Sequence, residues 1–507
     1  MTVEGKRVAI VGAGISGLAH AHVFRKNGFE VVVFEKSSEV AGVWALAYPD
    51  VCLQNLGFQY HLSDVPWGFA ADAHPTGAQI QRYWRETVAA LGLDLRRGHE
   101  VVSAEARDGG WALTTLHAGA REEHRFDHLV VAVGQYTENK RRPACEGEEL
   151  FRGEVGTERD VRSLESFRGQ RVAVVGFGKS ALDMATLAAD RGAAVHHVFR
   201  TARWTVPRHI LGLHSSWLLF SRFGSVMMTS WAHPTAAERF LHRRGRGAVQ
   251  AFWGALAKVV RHEYRRAARG AGPAGLARVD AVTPSHGLLL DLRSAAALTP
   301  DGYLPHLAAG RIEPHRAGLA GFDADGLRLT DGTRVDCDRV VLSLGSESPR
   351  FPFLSSEHRS LLEGEDDGVQ LYRHLIHPRI PNLGFAGFNH GFLHMPAAEV
   401  GAQWLCCHLR GELALPPVEE MERSVERVRA WKREHIAFEP SRSCAVNTRF
   451  QQYLDVLLRD LGVSPYRKLP NVAAEVFGRY GSSDYAGVVD EVRRKGGAAR
   501  RALEVDT

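Results

Sequence analysis

Two stretches of the chain share one pattern. Each has a short apolar run, a glycine-punctuated turn, a segment with helical spacing and a second apolar run. The first is residues 7–35, RVAIVGAGISGLAHAHVFRKNGFEVVVFE, and the second is residues 171–200, RVAVVGFGKSALDMATLAADRGAAVHHVFR. Unbroken apolar runs followed at once by helix predict parallel strands covered on both faces. In the first stretch the strand enters Gly12-x-Gly14-x-x-Gly17. Gly12 permits the tight turn, Gly14 lets backbone approach a pyrophosphate, and Gly17 lets the helix pack close on the strand. The helix start, with Ser16 in it, then offers N–H groups and positive potential to phosphate. Glu35 ends the second strand, where a carboxylate can accept hydrogen bonds from both ribose hydroxyls, with Lys36 next to it. In the second stretch Gly176, Gly178 and Ala181 fill the three positions, with Ser180 among them. Counted from the first glycine, Glu35 lies 23 residues on and Arg200 lies 24 residues on. An acid there repels a 2′-phosphate, whereas Arg200 with Thr201 and Arg203 attracts one. The first site is therefore expected to hold FAD and the second NADPH, and two nucleotide sites imply electron transfer between them.

The remaining pattern predicts how the two units are joined. Residues 74–92 read as an amphipathic helix. Residues 111–134 read as strands returning to the first unit and ending at Gly134. Residues 321–345 read as a hairpin turning at Asp331-Gly332 and then an apolar strand ending at Gly345. The expected fold is α/β, with two Rossmann-like dinucleotide-binding domains, the NADPH domain nested within the FAD domain. The expected spans are 1–165 for the first part of the FAD domain, 166–320 for the NADPH domain and 321–507 for the rest. A helical insertion is expected at 208–270. Its first part is apolar, interrupted by His214 and Arg222, and its second part has a basic face. It reads either as a subdomain covering the NADPH domain or as a cap on a substrate tunnel. Beyond Leu413 a helix of alternating charge is expected, and the terminal ARRALEVDT is expected to fray.

Composition narrows the field. A net charge of +5 over 507 residues makes no case for nucleic acid, though it would assist capture of an anionic cofactor. The six cysteines, at 52, 145, 337, 406, 407 and 444, form no CxxC pair; a reduced, cytoplasmic setting is expected, and disulfide-exchange chemistry is disfavoured. The first strand starts almost at the N-terminus, so no signal peptide is expected. No apolar run reaches the ~18 residues of a membrane span. The 25 histidines show no metal-ligand spacing, and no G-x-S-x-G elbow points to a serine hydrolase.

Further motifs carry a resemblance. After Glu35 come Gly42 and Trp44 in AGVW, then Leu53, Asn55, Ser63, Asp64 and Pro66. RTARW follows the second cradle, and Tyr372, His374, Pro381, Asn382, Gly387, Pro396, Glu399, Gln403 and Trp404 lie in the last third. This set resembles the flavin-containing monooxygenases, a class that includes Baeyer–Villiger enzymes and N-hydroxylases. The resemblance implies a single-component FAD- and NADPH-dependent monooxygenase that forms a C4a-(hydro)peroxyflavin from dioxygen and oxygenates a small-molecule substrate. It nominates Asn55 as the residue beside flavin and NADP, with Gly42, Trp44 and Gln403 on the FAD side. Asn55 in an Asx turn is the bland alternative. One departure is informative: the family's F-x-G-x-x-x-H linker is matched by Phe151 and Gly153, but Thr157 replaces the histidine. That weakens a Baeyer–Villiger assignment most, so oxygenation of nitrogen, then sulfur, is the expected reaction. A ketone-oxygenating enzyme and a non-oxygenating flavoprotein reductase remain the alternatives, and a homo-oligomer stays open.

Overall fold

The computed structural model describes residues 6–135, 139–228, 232–295, 297–436, 446–495 and 500–502. Two five-stranded parallel sheets organise it. The first runs in the order Leu383–Phe385, His128–Val131, Arg7–Val11, Glu30–Glu35, Asp94–Arg97. Val8, Ala9 and Ile10 are wholly buried, as a strand covered on both faces requires. The second runs in the order Ile312–His315, Ala194–Val198, Arg171–Val175, Arg339–Leu342, Glu154–Thr157. Strands of the first sheet thus come from before and after all those of the second. The second sheet begins at residue 154 and ends at 342, wider on both sides than the expected 166–320. Its edge strand, Glu154–Thr157, fully buries only Thr157, so no alternation of apolar residues announces it.

Both sheets are re-entered in the same way. Three antiparallel strands (Glu100–Arg107, Gly110–His117, Ala120–Phe126) lead into His128–Val131. Three shorter ones (Leu319–Asp323, Gly326–Leu329, Arg334–Asp336) lead into Arg339–Leu342. The turn between the last two contains Asp331 and Gly332, the glycine at φ +87°. The two crossings between sheets run side by side: Arg141 N–H donates to the Gly345 carbonyl (3.0 Å) and Glu347 N–H to that of Asn139 (2.9 Å).

The insertion is longer than its pattern suggested. Helices Arg246–Ala267, Gly272–Ala281 and Leu288–Ala295 follow one another, and the segment closes where Thr205–Val206 pairs with Ala297–Leu298. Gly270, Gly272 and Pro273, at and just past its expected end at 270, are the turn and the proline start of the next helix. Tyr264 anchors it to the second unit, its hydroxyl 2.6 Å from Thr205 Oγ1. At the other end half-buried Arg222 ion-pairs with the buried Asp455 and Glu475 of the C-terminal helices, both at 2.6 Å. The insertion therefore bridges the second unit and the C-terminal helices. The C-terminal reading also needs correction. Arg500–Arg501 do not fray but pair with Leu413–Ala414, ahead of the expected helix, Val418–His435. Cys444 lies outside the described residues. Among those described, no helix is long and apolar enough to cross a membrane.

Candidate functional site

The first cradle is shaped by what its glycines exclude. A Cβ on Gly12 (φ +111°) would lie 2.6 Å from the Ala132 carbonyl oxygen, and one on Gly17 would lie 2.1 Å from that of Gly12. On Gly14 it would meet nothing within 4 Å. The protein itself demands the outer two glycines, and the middle one borders open space. From Gly14 the helix Ile15–Lys26 starts with no side-chain cap and no acid in its first turn, so its N–H groups are left for an anion. Glu35 is held at the mouth, accepting from Ala13 N–H (2.7 Å) and Ser37 N–H (2.9 Å). Lys36 beside it is exposed. Gly42 packs on the Gly14 backbone, where an added Cβ would lie 3.0 Å from its Cα. Trp44 Nε1 donates to the Tyr60 hydroxyl (2.9 Å). Gly134 follows the strand that supplies Ala132. Ser16 is buried, its Oγ 2.9 Å from Nε2 of His394, the first residue of helix His394–Leu409. Burial pushes the His394 imidazole down to about 4, so it is neutral. Gln403, also nominated for this site, lies elsewhere. It accepts from Asn27 Nδ2 (2.7 Å), at the far end of the cradle's helix, about 18 Å from the glycine turn.

The second cradle repeats the plan. A Cβ on Gly176 (φ +130°) would lie 2.3 Å from the Ser343 carbonyl oxygen, and Gly178 borders open space. Gly345 follows Ser343 as Gly134 follows Ala132. Helix Lys179–Asp190, with half-buried Ser180 in its first turn, is likewise uncapped and free of acid there. The Gly176 carbonyl accepts from His197 Nε2 (2.7 Å), which leaves His197 Nδ1 to accept from the Tyr303 hydroxyl (2.7 Å). Burial keeps that ring neutral, its pKa about 4. Tyr48, from the first unit, donates to Asp183 Oδ2 (2.6 Å), and Asp183 also pairs with Lys179. Arg200 and Thr201 are exposed and Arg203 is half-buried. Arg200 has no ion pair among the described residues. Sequence reasoning missed Arg316: Phe199 N–H donates to the His315 carbonyl (2.9 Å), which sets exposed Arg316 beside the Arg200 strand end.

Asn55 is buried where the two halves of the first unit meet. Its Nδ2 donates to the Phe392 carbonyl, two residues before His394. Its own carbonyl receives His74 Nδ1 (3.1 Å). With that proton assigned, His74 Nε2 accepts from His214 Nε2 (3.3 Å) and His214 Nδ1 accepts from Ser216 N–H (3.2 Å). Burial first, then neighbouring positive charge, holds both imidazoles below their ordinary values. Beside this chain lies a narrow recess, partly open to solvent. Val206, Leu219, Phe220, Leu298 and Phe392 make it apolar, and Gln54, His214, Ser215 and Ser216 supply its polar edge. Gln54 Oε1 accepts from Leu298 N–H (2.8 Å), joining the first unit to the closing strand of the insertion. None of these histidines or serines was legible as a site, because their only common property is proximity in the fold. Thr157, in the place of the family's linker histidine, accepts no such role: its N–H (2.7 Å) and hydroxyl (2.9 Å) both donate to Asp160 in a local turn.

Two nested parallel sheets, each presenting an uncapped helix behind a glycine turn, define a flavoprotein that handles two dinucleotides. The family described as pyridine nucleotide-disulphide oxidoreductase matches residues 9–211. The described cysteines are all free. A protein of Arabidopsis thaliana named "Probable flavin-containing monooxygenase 1" is 28% identical, over 95% of this chain and 96% of the relative. Two solved structures share the fold. The S-allyl-L-cysteine S-oxygenase of Allium sativum aligns with a TM-score of 0.62 at 19% identity, covering 98% of this chain and 99% of that one. The cyclohexanone monooxygenase of Rhodococcus sp. Phi1, bound to NADP+, aligns at 0.67 and 18% identity, covering 91% and 98%. Along nearly its whole length the chain is similar to flavin-containing monooxygenases, and it is an NADPH-dependent flavin monooxygenase that uses FAD.

Proposed function

We propose that the protein oxygenates a nucleophilic heteroatom, nitrogen ahead of sulfur, of a small organic substrate bound in the recess beside Asn55. Gly12, Gly14 and Gly17 with Ser16, Glu35, Gly42 and Trp44 would hold FAD. Gly176, Gly178, Ser180 and Ala181 would hold NADPH, with Arg200, Thr201, Arg203 and Arg316 around its 2′-phosphate. The NADPH domain is then the span from about 154 to 342, and the FAD domain is the chain on either side. Bound FAD supplies hydride acceptance and oxygen activation, so the hard chemistry is the cofactor's.

The chain's own residues orient and exclude. Phe220, Phe392, Leu219 and Leu298 keep the recess apolar, and a dry site strengthens each polar contact inside it. Asn55 is fixed by its bond to the Phe392 carbonyl and so stands preorganised at the seam between recess and first cradle. The neutral His74 and His214 accept and pass hydrogen bonds without placing a charge beside that seam. The observation that carries the reading is the placement of Asn55 at this seam, together with Thr157 committed to a local turn. The two support heteroatom over ketone oxygenation.

The test is a substrate panel of amines, thioethers and ketones, followed by oxygen incorporation and hydrogen peroxide release per NADPH consumed. Asn55→Ala is expected to retain FAD and accept hydride but to release peroxide in place of product. Lactone or ester formation from ketones with amines untouched would overturn the reading. A fully coupled Asn55→Ala enzyme would remove that residue from the site.

A further inference from the structure

We propose that the recess takes an apolar molecule bearing an anionic group, the anion being received at the Ser215–Arg479 end. This rests on the recess being the substrate site. Ser215 lines it, is 5% exposed, and its buried Oγ has no hydrogen-bond partner. Buried hydroxyls are normally satisfied, so this one is a donor awaiting an acceptor.

The second observation is Arg479, which lies outside the recess lining and reaches it through Ser216. Its guanidinium lies over the Trp217 ring (4.3 Å to the centroid) and near the Phe58 ring (5.3 Å), and Nη1 donates to Ser216 Oγ (3.2 Å). It has no carboxylate partner among the described residues. A planar cation held between aromatic faces, with donors to spare, suits a carboxylate or another flat oxyanion.

The surroundings agree in sign. The groups facing His214 are His74, His209, Arg208 and Arg479, and each lowers its proton affinity. The nearby acid, Asp301, is already bound by Arg208 at 2.9 Å. Among the described residues no aspartate or glutamate lines the recess. With His74 and His214 neutral and Arg208 paired, Arg479 supplies the net positive charge near the polar end, which favours an anion and disfavours an ammonium group. The apolar walls at the Phe220–Phe392 end accept the rest of the molecule and direct it toward Asn55.

The experiment titrates FAD-loaded enzyme with hexanoate, hexanamide and hexylammonium, three probes of one shape and different charge, followed by calorimetry. Hexanoate is expected to bind roughly tenfold or more tighter than hexanamide, and hexylammonium not measurably. Ser215→Ala and Arg479→Gln should each weaken hexanoate severalfold and leave hexanamide unchanged. Arg479→Lys, which keeps the charge, should retain part of the preference and checks for a folding defect alongside the melting temperature. Equal binding of all three probes, or hexanoate binding unmoved in folded Ser215→Ala and Arg479→Gln proteins, would overturn the proposal. Binding is read without turnover, so a monooxygenase that shows no carboxylate preference sinks this inference alone. A carboxylate-binding protein that oxygenates nothing sinks the functional reading instead.

Discussion

At Gly17 a methyl group would lie 2.1 Å from the Gly12 carbonyl oxygen, whereas the equivalent place in the second cradle already carries one, on Ala181. In the second cradle His197 takes the Gly176 carbonyl, whereas in the first the corresponding Gly12 carbonyl faces Gly17. The mouths differ in the same sense. Glu35 is locked by two backbone N–H groups, and Arg200 is exposed and unpaired among the described residues. A tight, pre-ordered cradle pays its ordering cost on folding, before ligand arrives. The two copies of one motif thus differ by a single methyl, on Ala181, and a single charge, on Arg200 against Glu35.

The largest effect should come from the first cradle. Gly14→Glu points into open space, so the protein should keep its melting temperature without ligand yet retain no flavin, measured as the flavin-to-protein ratio. Gly17→Ala, by contrast, collides with backbone and should cost about 1–3 kcal/mol or more of stability. A Gly14→Glu protein with stoichiometric flavin would undo the distinction. Arg200→Ala comes next: loss of a charge-assisted contact worth roughly 1.5–3 kcal/mol should raise the KM for NADPH about 10- to 150-fold. That for NADH should barely move, and equal shifts would make Arg200 a structural residue.

A smaller effect separates the cradles by pH. Glu399, on the helix packed against the first cradle's helix, accepts from Ser63 N–H (3.0 and 3.1 Å) and Ser63 Oγ (2.8 Å). Burial pushes its carboxyl up to about 8, from an ordinary 4.5. The folded state then holds a proton that the unfolded chain has lost. Stability should be fullest below about 4.5, fall as pH rises toward about 8, and level off above. Glu399→Gln should flatten that slope in urea midpoints taken from pH 4.5 to 8. An unchanged slope would place the titration elsewhere. The smallest effect is Ala181→Gly, which should cost only about 0.5–1 kcal/mol through helix propensity and leave NADPH binding near normal.

Both cradles were legible because the glycine spacing, the apolar strand and the helix lie in one continuous stretch, although Gly12 and Gly176 answer to the carbonyls of Ala132 and Ser343 on distant segments. The Asp331-Gly332 turn was legible for the same reason. The edge strand Glu154–Thr157 was not, since an edge buries little and needs no alternation. The insertion was cut short at 270 because glycine and proline mark a turn between helices as readily as a boundary. The recess was illegible altogether. Ser215, Arg479, Gln54 and Phe392 come from four separate parts of the chain, and no spacing rule connects them. Gln403 shows the converse: it fits a family pattern, yet here it packs one helix on another.

The nesting of the sheets sets an order of assembly. Strand His128–Val131 must find its neighbour Leu383–Phe385 across half the chain, and a loop of that length closes slowly. Between them, Glu154–Thr157 and Arg339–Leu342 lie side by side on one strand of separation, both hydrogen-bonded into the second sheet. Once that sheet has formed, it shortens the remaining loop to roughly a quarter of its length and lowers the closure cost by on the order of 1 kcal/mol. The inner unit therefore serves as a splint for the outer one. Docking of the last outer strand is favoured several-fold once the splint is set, and the earlier-made half of the first cradle's sheet is completed by a strand from the later-made half of the polypeptide.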